Sequence, residues 1–205
     1  MRRLSDGSTK LRRLRFAVAA LLLSGCGATN NEPHTSATSG GPTPSASEAH
    51  DAVPRAEAGP KAPDFDLPTL DGGHVSLQQF RGQKVVLIDF WSTICDPCKQ
   101  EMPELVKLYQ ERKDKGFVVL AIATDGPETV ANVSSDAKAL HMVFPVLLDT
   151  ETAVLDRYNP EGRMPFTVLV DRSGNVLVKR SGYQPGDLES QKKLVEAIDK
   201  AMAQP

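Results

Sequence analysis

The chain has 205 residues, a formal net charge of -2 and three cysteines. That length holds one domain of ordinary size plus extensions, and so small a charge provides no global attraction to nucleic acid. The charge is unevenly spread: residues 1–25 carry six Lys or Arg and a single acid, Asp6, which leaves 18 basic against 25 acidic residues in the body, net -7.

The basic start runs into FAVAALLLSGC, Phe16 to Cys26. A charged segment, a short apolar run and then small residues describe a secretory signal over residues 1–25. The run is far shorter than the roughly 20 apolar residues a spanning helix needs. Leu23-Ser24-Gly25-Cys26 resembles the bacterial lipobox. That resemblance implies cleavage before Cys26, lipidation of its thiol and amino group, and a protein exported to the bacterial cell envelope, held on the periplasmic side by its lipid. An ordinary signal peptide with an unrelated cysteine is the alternative. Arg12-Arg13 invites a twin-arginine reading, but Leu14-Arg15 follow where that motif wants a second hydrophobic position. A lipidated Cys26 accounts for the odd cysteine of an exported chain and leaves Cys95 and Cys98 as a pair. Residues 26–60, rich in Ser, Thr, Pro, Gly and Ala, bury too little surface to offset their ordering entropy and read as a flexible tether.

The domain spans residues 61–205. Phe65-Asp66-Leu67 and Val75-Ser76-Leu77 flank Asp71-Gly72-Gly73 as a short hairpin. KVVLIDFW, Lys84 to Trp91, is a continuous apolar run with one acid, the pattern of a strand buried on both faces. Pro97 to about Lys115 has helical spacing through Met102, Leu105, Val106, Leu108 and Tyr109. Phe117 to Ala123 reads as a second buried strand, and Glu128 to Leu140 as a helix with Asp125 or Thr129 near its start. A third strand covers Phe144 to Leu148 and a short helix Thr150 to Tyr158. Phe166 to Val170 and Val176 to Lys179 form a hairpin around Asp171-Arg172-Ser173-Gly174-Asn175, and Asp187 to Met202 closes as an amphipathic helix. This succession is an α/β sandwich around a mixed sheet.

Between the first buried strand and the first long helix stands WSTICDPCKQEMP, with cysteines spaced Cys-x-x-Cys. A zinc ribbon needs a second ligand pair; there is no second Cys-x-x-Cys, and His34, His50, His74 and His141 are scattered. Haem attachment needs a histidine where Lys99 stands. A purely structural disulfide across so tight a loop constrains little chain. Redox chemistry has a physical logic instead. The pair opens a helix, with Pro97 suited to the first turn, where unpaired N–H groups and the positive end of the helix dipole favour a thiolate on Cys95. Such settings lower a thiol pKa from about 8.5 to roughly 3.5–7.5. Cys95 then attacks a substrate disulfide, and Cys98, one turn deeper, resolves the mixed disulfide.

FDLPTLDGGHVSLQQFRGQKVVLIDFW, CDPCKQEMPEL, FPVLLDTETAVLDRY and GRMPFTVLVDRSGNV together resemble the TlpA-like and ResA-like thiol-disulfide oxidoreductases of the thioredoxin superfamily over residues 61–205. The resemblance implies a thioredoxin-like fold: a central mixed β-sheet flanked by helices, an N-terminal hairpin, and the insertion of this branch before FPVLLD. It implies a cis bond at Met164-Pro165, facing the cysteines and presenting Met164 to a bound peptide. It places Asp89 at the buried acid of thioredoxin and Glu101 at the acid near the site of ResA-like proteins, both able to exchange a proton with Cys98. For Glu101 the alternative is a solvated helix residue. Trp91 is expected beside the disulfide, with ordinary core as its alternative. Ile94 departs from the aromatic residue usual before the first cysteine, and Asp96-Pro97 from Gly-Pro and Glu-Pro.

The implied activity is extracytoplasmic thiol-disulfide exchange on protein disulfides, reductive in preference to oxidative, in cytochrome c biogenesis, with no metal or other cofactor, a membrane protein as electron donor, and no nucleic acid partner. Two other classes stay open. A peroxiredoxin-like peroxide reductase needs Pro-x-x-x-Thr-x-x-Cys, and Cys95 is preceded by Ser92 and Ile88 at those places. A non-enzymatic thioredoxin-like lipoprotein, binding a partner or copper, is the third; copper carriers of this fold space their cysteines one residue wider and add a histidine.

Overall fold

The computed structural model describes residues 59–204; the signal segment, Cys26 and most of the tether lie outside them. β1 (Asp66–Pro68) and β2 (His74–Ser76) pair antiparallel as the expected hairpin. β3 (Val85–Trp91) and β4 (Phe117–Ala123) are parallel and in register, Val85 opposite Phe117 and Trp91 opposite Ala123. β5 (Val146–Leu148) joins β4, while β6 (Phe166–Val170) lies antiparallel to β3 and carries β7 (Val176–Ser181) at the edge. The sheet order is β5-β4-β3-β6-β7, mixed as expected.

Successive strand residues face opposite sides of a sheet, and the two sides here have separate cores. Val86, Ile88 and Phe90 of β3 meet Phe65, Leu67 and Leu77 of the hairpin region and Val154, Leu155 and Tyr158 of α3 (Ala153–Tyr158). Val85, Leu87 and Trp91 meet Cys98, Met102 and Leu105 of α1 (Asp96–Arg112), Val133 and Ala137 of α2 (Val133–Ala139), and Leu194, Ile198 and Ala201 of α4 (Leu188–Ala203). Layers on both faces explain why every residue of β3 and β4 is buried and why both read as unbroken apolar runs.

Local chemistry sets the ends of the elements. Asp149 accepts from the Val154 and Leu155 N–H groups at the start of α3, and Asp187 from Ser190 N–H at the start of α4. In the β6–β7 turn, Asp171 accepts from both the backbone and the side chain of Asn175, and Gly174 takes a φ of 82° that a side chain would resist. The helix expected over Glu128 to Leu140 is divided: a 3₁₀ turn at Val130–Asn132 precedes α2. Neither residue expected to start it caps it, because Asp125 is engaged elsewhere and Thr129 makes no capping bond.

Candidate active site

α1 begins directly after β3, so the cysteines sit at the carboxyl end of a central strand. Cys95 is the N-cap of α1, and its sulfur accepts the Cys98 N–H at 3.3 Å. Pro97 occupies the first turn, as the sequence indicated. Cys95 and Cys98 are joined in a disulfide with Cα atoms 5.3 Å apart. Cys98 is fully buried, whereas Cys95 is partly open and Ile94 beside it is 79% exposed. One sulfur therefore faces incoming substrate and the other stands behind it.

The loop that carries Cys95 is anchored from the next strand. Thr93 donates its backbone N–H to Asp125 Oδ2 at 3.0 Å and its hydroxyl to Oδ1. Asp125 is 2% exposed, so this carboxylate exchanges water for hydrogen bonds to the loop. The register explains the partnership: Thr93 and Asp125 each lie two residues beyond the register pair Trp91 and Ala123, at the same end of parallel strands.

Across the opposite rim, the Met164–Pro165 peptide is cis. Met164 is partly buried, Pro165 is buried, and Met164 Sδ lies 3.4 Å from the Thr124 hydroxyl, which donates to it. Trp91 is wholly buried in the cluster that contains Cys98 and presents no surface to solvent.

Beneath the helix runs a polar row. Asp89 pairs in register with Thr167, and Thr167 with Arg180, so three polar side chains stand side by side on β3, β6 and β7. They share the side of the sheet that α1 and α4 cover, since they alternate with residues of the other core. Thr167 donates to Asp89 Oδ1 at 3.3 Å; Arg180 donates to Thr167 Oγ1 at 3.5 Å and forms an ion pair with Glu101, which comes down from α1. Asp89 and Glu101 are 0% and 1% exposed. Burial pushes the Asp89 carboxyl well above the usual carboxylate range, and the neighbouring Glu101 adds to the effect. Burial likewise raises Glu101, to about 7, against the opposing pull of Arg180 and with a further push from Glu104. Glu101, which sequence alone left as helix surface or functional acid, is thus buried beside the second acid. Thr167 and Arg180 were not singled out from the sequence. For Arg180 the signal was alternation: in VLVKRS it follows Val178 by two residues, and Val178 packs into the core that α1 and α4 cover.

A sulfur pair at a helix mouth, with one sulfur accessible and the other behind it, can exchange disulfides, and two buried carboxyls, both raised above the usual carboxylate range, can take up and return protons. The AhpC/TSA family model matches residues 58–179. The thiol-disulfide oxidoreductase ResA of a Bacillus cereus strain is 35% identical over 128 residues, which cover 62% of this chain and 72% of that protein. The thioredoxin-like protein YneN of Bacillus subtilis is 40% identical over 118 residues, 58% of this chain and 68% of that one. Among solved structures, a thiol:disulfide interchange protein from a Bacteroides species is similar at 31% identity and a TM-score of 0.56, over 68% of this chain and 90% of that one. A thioredoxin-family thiol:disulfide interchange protein from Chlorobium tepidum is similar at 26% identity and a TM-score of 0.60, over 73% of this chain and 99% of that one.

Proposed function

The chain belongs to the AhpC/TSA family and is a thiol-disulfide oxidoreductase of the thioredoxin superfamily, and from that premise we propose that it is an exported, lipid-anchored reductant of protein disulfides. The observation that carries the reading is the unequal pair: Cys95 open at the N-cap of α1, and Cys98 buried behind it. In the reduced protein the Cys95 thiolate attacks one sulfur of a substrate disulfide. A mixed disulfide forms and the other substrate sulfur leaves as a thiolate, which takes a proton from water. Cys98 then gives up its proton to the buried carboxyl pair of Asp89 and Glu101 and attacks Cys95 Sγ. The second substrate thiolate leaves, and two electrons have passed from the dithiol to the substrate. Met164 and Pro165 line the rim on which a substrate strand would lie, and Trp91 backs the disulfide from within the core.

Asp96 favours the reductive direction. It is exposed in the first turn of α1, where its charge opposes a thiolate on Cys95 and so favours the disulfide form. Lipidation at Cys26 would keep the domain at a membrane surface, with residues 26–60 as tether and a membrane protein supplying electrons. Among the described residues no helix is long and apolar enough to cross a membrane. Reduced apo-cytochrome c is the proposed product, since its thiols must be free before haem attachment.

A Cys98→Ala variant expressed in full length tests the reading. It should accumulate mixed disulfides through Cys95 in the membrane fraction, and Cys26→Ala should move them to the soluble fraction. Absence of any mixed disulfide, together with no disulfide reduction by the purified wild-type chain, contradicts it. Peroxide reduction is the competing chemistry of a thiol at this place in the chain, but the position its motif gives to proline is Ile88, in the middle of β3. Peroxide turnover by the purified chain would favour that reading.

A further inference from the structure

The row Asp89–Thr167–Arg180 does not stop inside the core. Arg180 is on the edge strand, and beside it a groove of about 380 Å³ opens between α1, β7 and α4. Glu101, Glu104, Arg180, Gln191 and Leu194 line it; Ile94, Cys95, Met164 and Pro165 do not. Glu101, the member of the carboxyl pair nearer the edge strand, therefore borders a groove separate from the surface around Cys95.

The groups facing Glu101 come from every neighbouring element. Asp89 lies on β3, Thr167 on β6 and Arg180 on β7. Glu104, one turn along α1, accepts from Tyr183 Oη at 2.7 Å and from Gln191 Nε2 of α4 at 2.8 Å. Lys107, Glu111 and Arg112 follow further out along the groove. Near the pair, three carboxylates meet one cation, and two buried like charges cannot both ionise without compensation. Arg180 binds Glu101, so the proton that the pair retains rests on Asp89. Asp89 Oδ2 and Glu101 Oε2 have no protein hydrogen-bond partner, which suits oxygens that alternately carry and release a proton.

We propose that Arg180 is a positioning residue for the resolving step: it holds Glu101 as the ionised member of the Asp89–Glu101 pair at the inner end of the groove between α1, β7 and α4, so that the proton lost by Cys98 leaves through that groove and not across the surface that carries substrate. The bond changes are those of the second exchange above: the proton passes from Cys98 Sγ to the pair and on to water, the Cys98–Cys95 bond forms, and the Cys95–substrate bond breaks. A substrate covering Cys95 would not seal the site against proton release.

The inference rests on the proposed exchange chemistry, and the experiment separates the two. Reduced full-length protein is mixed by stopped flow with oxidised glutathione, and separately with the disulfide-linked dimer of single-cysteine ubiquitin; attack and resolution are followed as successive phases across pH. Arg180→Met should raise the Glu101 midpoint, followed by carbon-13 NMR, by at least about one pH unit. Resolution at pH 7 should slow about fivefold, the fall in ionised Glu101 which that shift produces. Attack by Cys95 should be unchanged, and Arg180→Lys should restore most of the lost rate. The acid limb of resolution should be the same for the small and the large substrate. A resolution profile in Arg180→Met superimposable on the wild type, or an acid limb that vanishes with the ubiquitin dimer, overturns the inference. A wild-type chain that reduces neither disulfide overturns the exchange reading instead.

Discussion

The same strands build both sides of the central sheet, yet the two sides differ in kind. Towards the hairpin and α3, β3, β4 and β6 send only apolar side chains, among them Ile88, Phe90, Leu120, Phe166 and Val168. There Phe90 packs against Tyr158 at 5.6 Å and Phe166 at 6.2 Å between ring centroids. Towards α1 and α4 the same alternation places Asp89, Thr167 and Arg180 in one transverse row inside an otherwise apolar layer. An α/β sheet can thus hold buried ionisable groups when they share one row, pair in part with one another and lie beneath the helix that carries the reactive sulfurs. The other side supplies stability without chemistry.

The largest test of that division is Cys95→Ser, which should abolish disulfide reduction while leaving the unfolding midpoint of the reduced chain unchanged. Measurable turnover in that variant would mean the chemistry lies elsewhere. On the apolar side, Leu120→Ala should cost about 2–5 kcal/mol in urea unfolding, with the midpoint potential of the folded protein unmoved. A large change of potential would show that the two sides are not separable.

The polar row should show itself as a pH dependence of stability. Both carboxyls have pKa values raised by folding, so the native state holds protons that the unfolded chain has released. For Glu101 the effect is most favourable at low pH and is lost as pH rises from the ordinary glutamate value of about 4.5 towards about 7, by up to roughly 1 kcal/mol per pH unit; Asp89 acts in the same direction. Glu101→Gln should flatten that slope in urea titrations at successive pH values. A slope identical to the wild type would remove Glu101 from the account. Next in size, Asp125→Ala leaves the buried Thr93 N–H without its partner, at about 1–3 kcal/mol, and should slow attack by Cys95 through a looser loop. Unchanged attack would make Asp125 a matter of stability alone. Smallest, Asp96→Gly should raise the midpoint potential; an unchanged or lower value would refute the role given to that charge.

The fold was largely legible because hydrophobic period and turn residues agreed. KVVLIDFW and FVVLAIA are strands in register, and the motif at Cys95 and Cys98 lies at the junction where strand meets helix. What stayed hidden were partnerships across the sheet. Asp125 reads as a helix start in sequence, but parallel pairing carries it to Thr93 instead. Arg180 falls one residue past the strand read over Val176 to Lys179, and the antiparallel register places it against Thr167, with Glu101 above. Glu101 was ambiguous for the same reason: helical spacing gives its face, while its burial depends on how α1 settles on β3, β6 and β7.

The account rests above all on the ionised state of Cys95 at the mouth of α1. The direct measurement is the pH dependence of Cys95 alkylation by iodoacetamide in the reduced full-length chain, with Cys26 and Cys98 modification resolved by mass spectrometry. A midpoint below about 7.5 is the expected result; a midpoint at the free-thiol value of about 8.5 or above would contradict it.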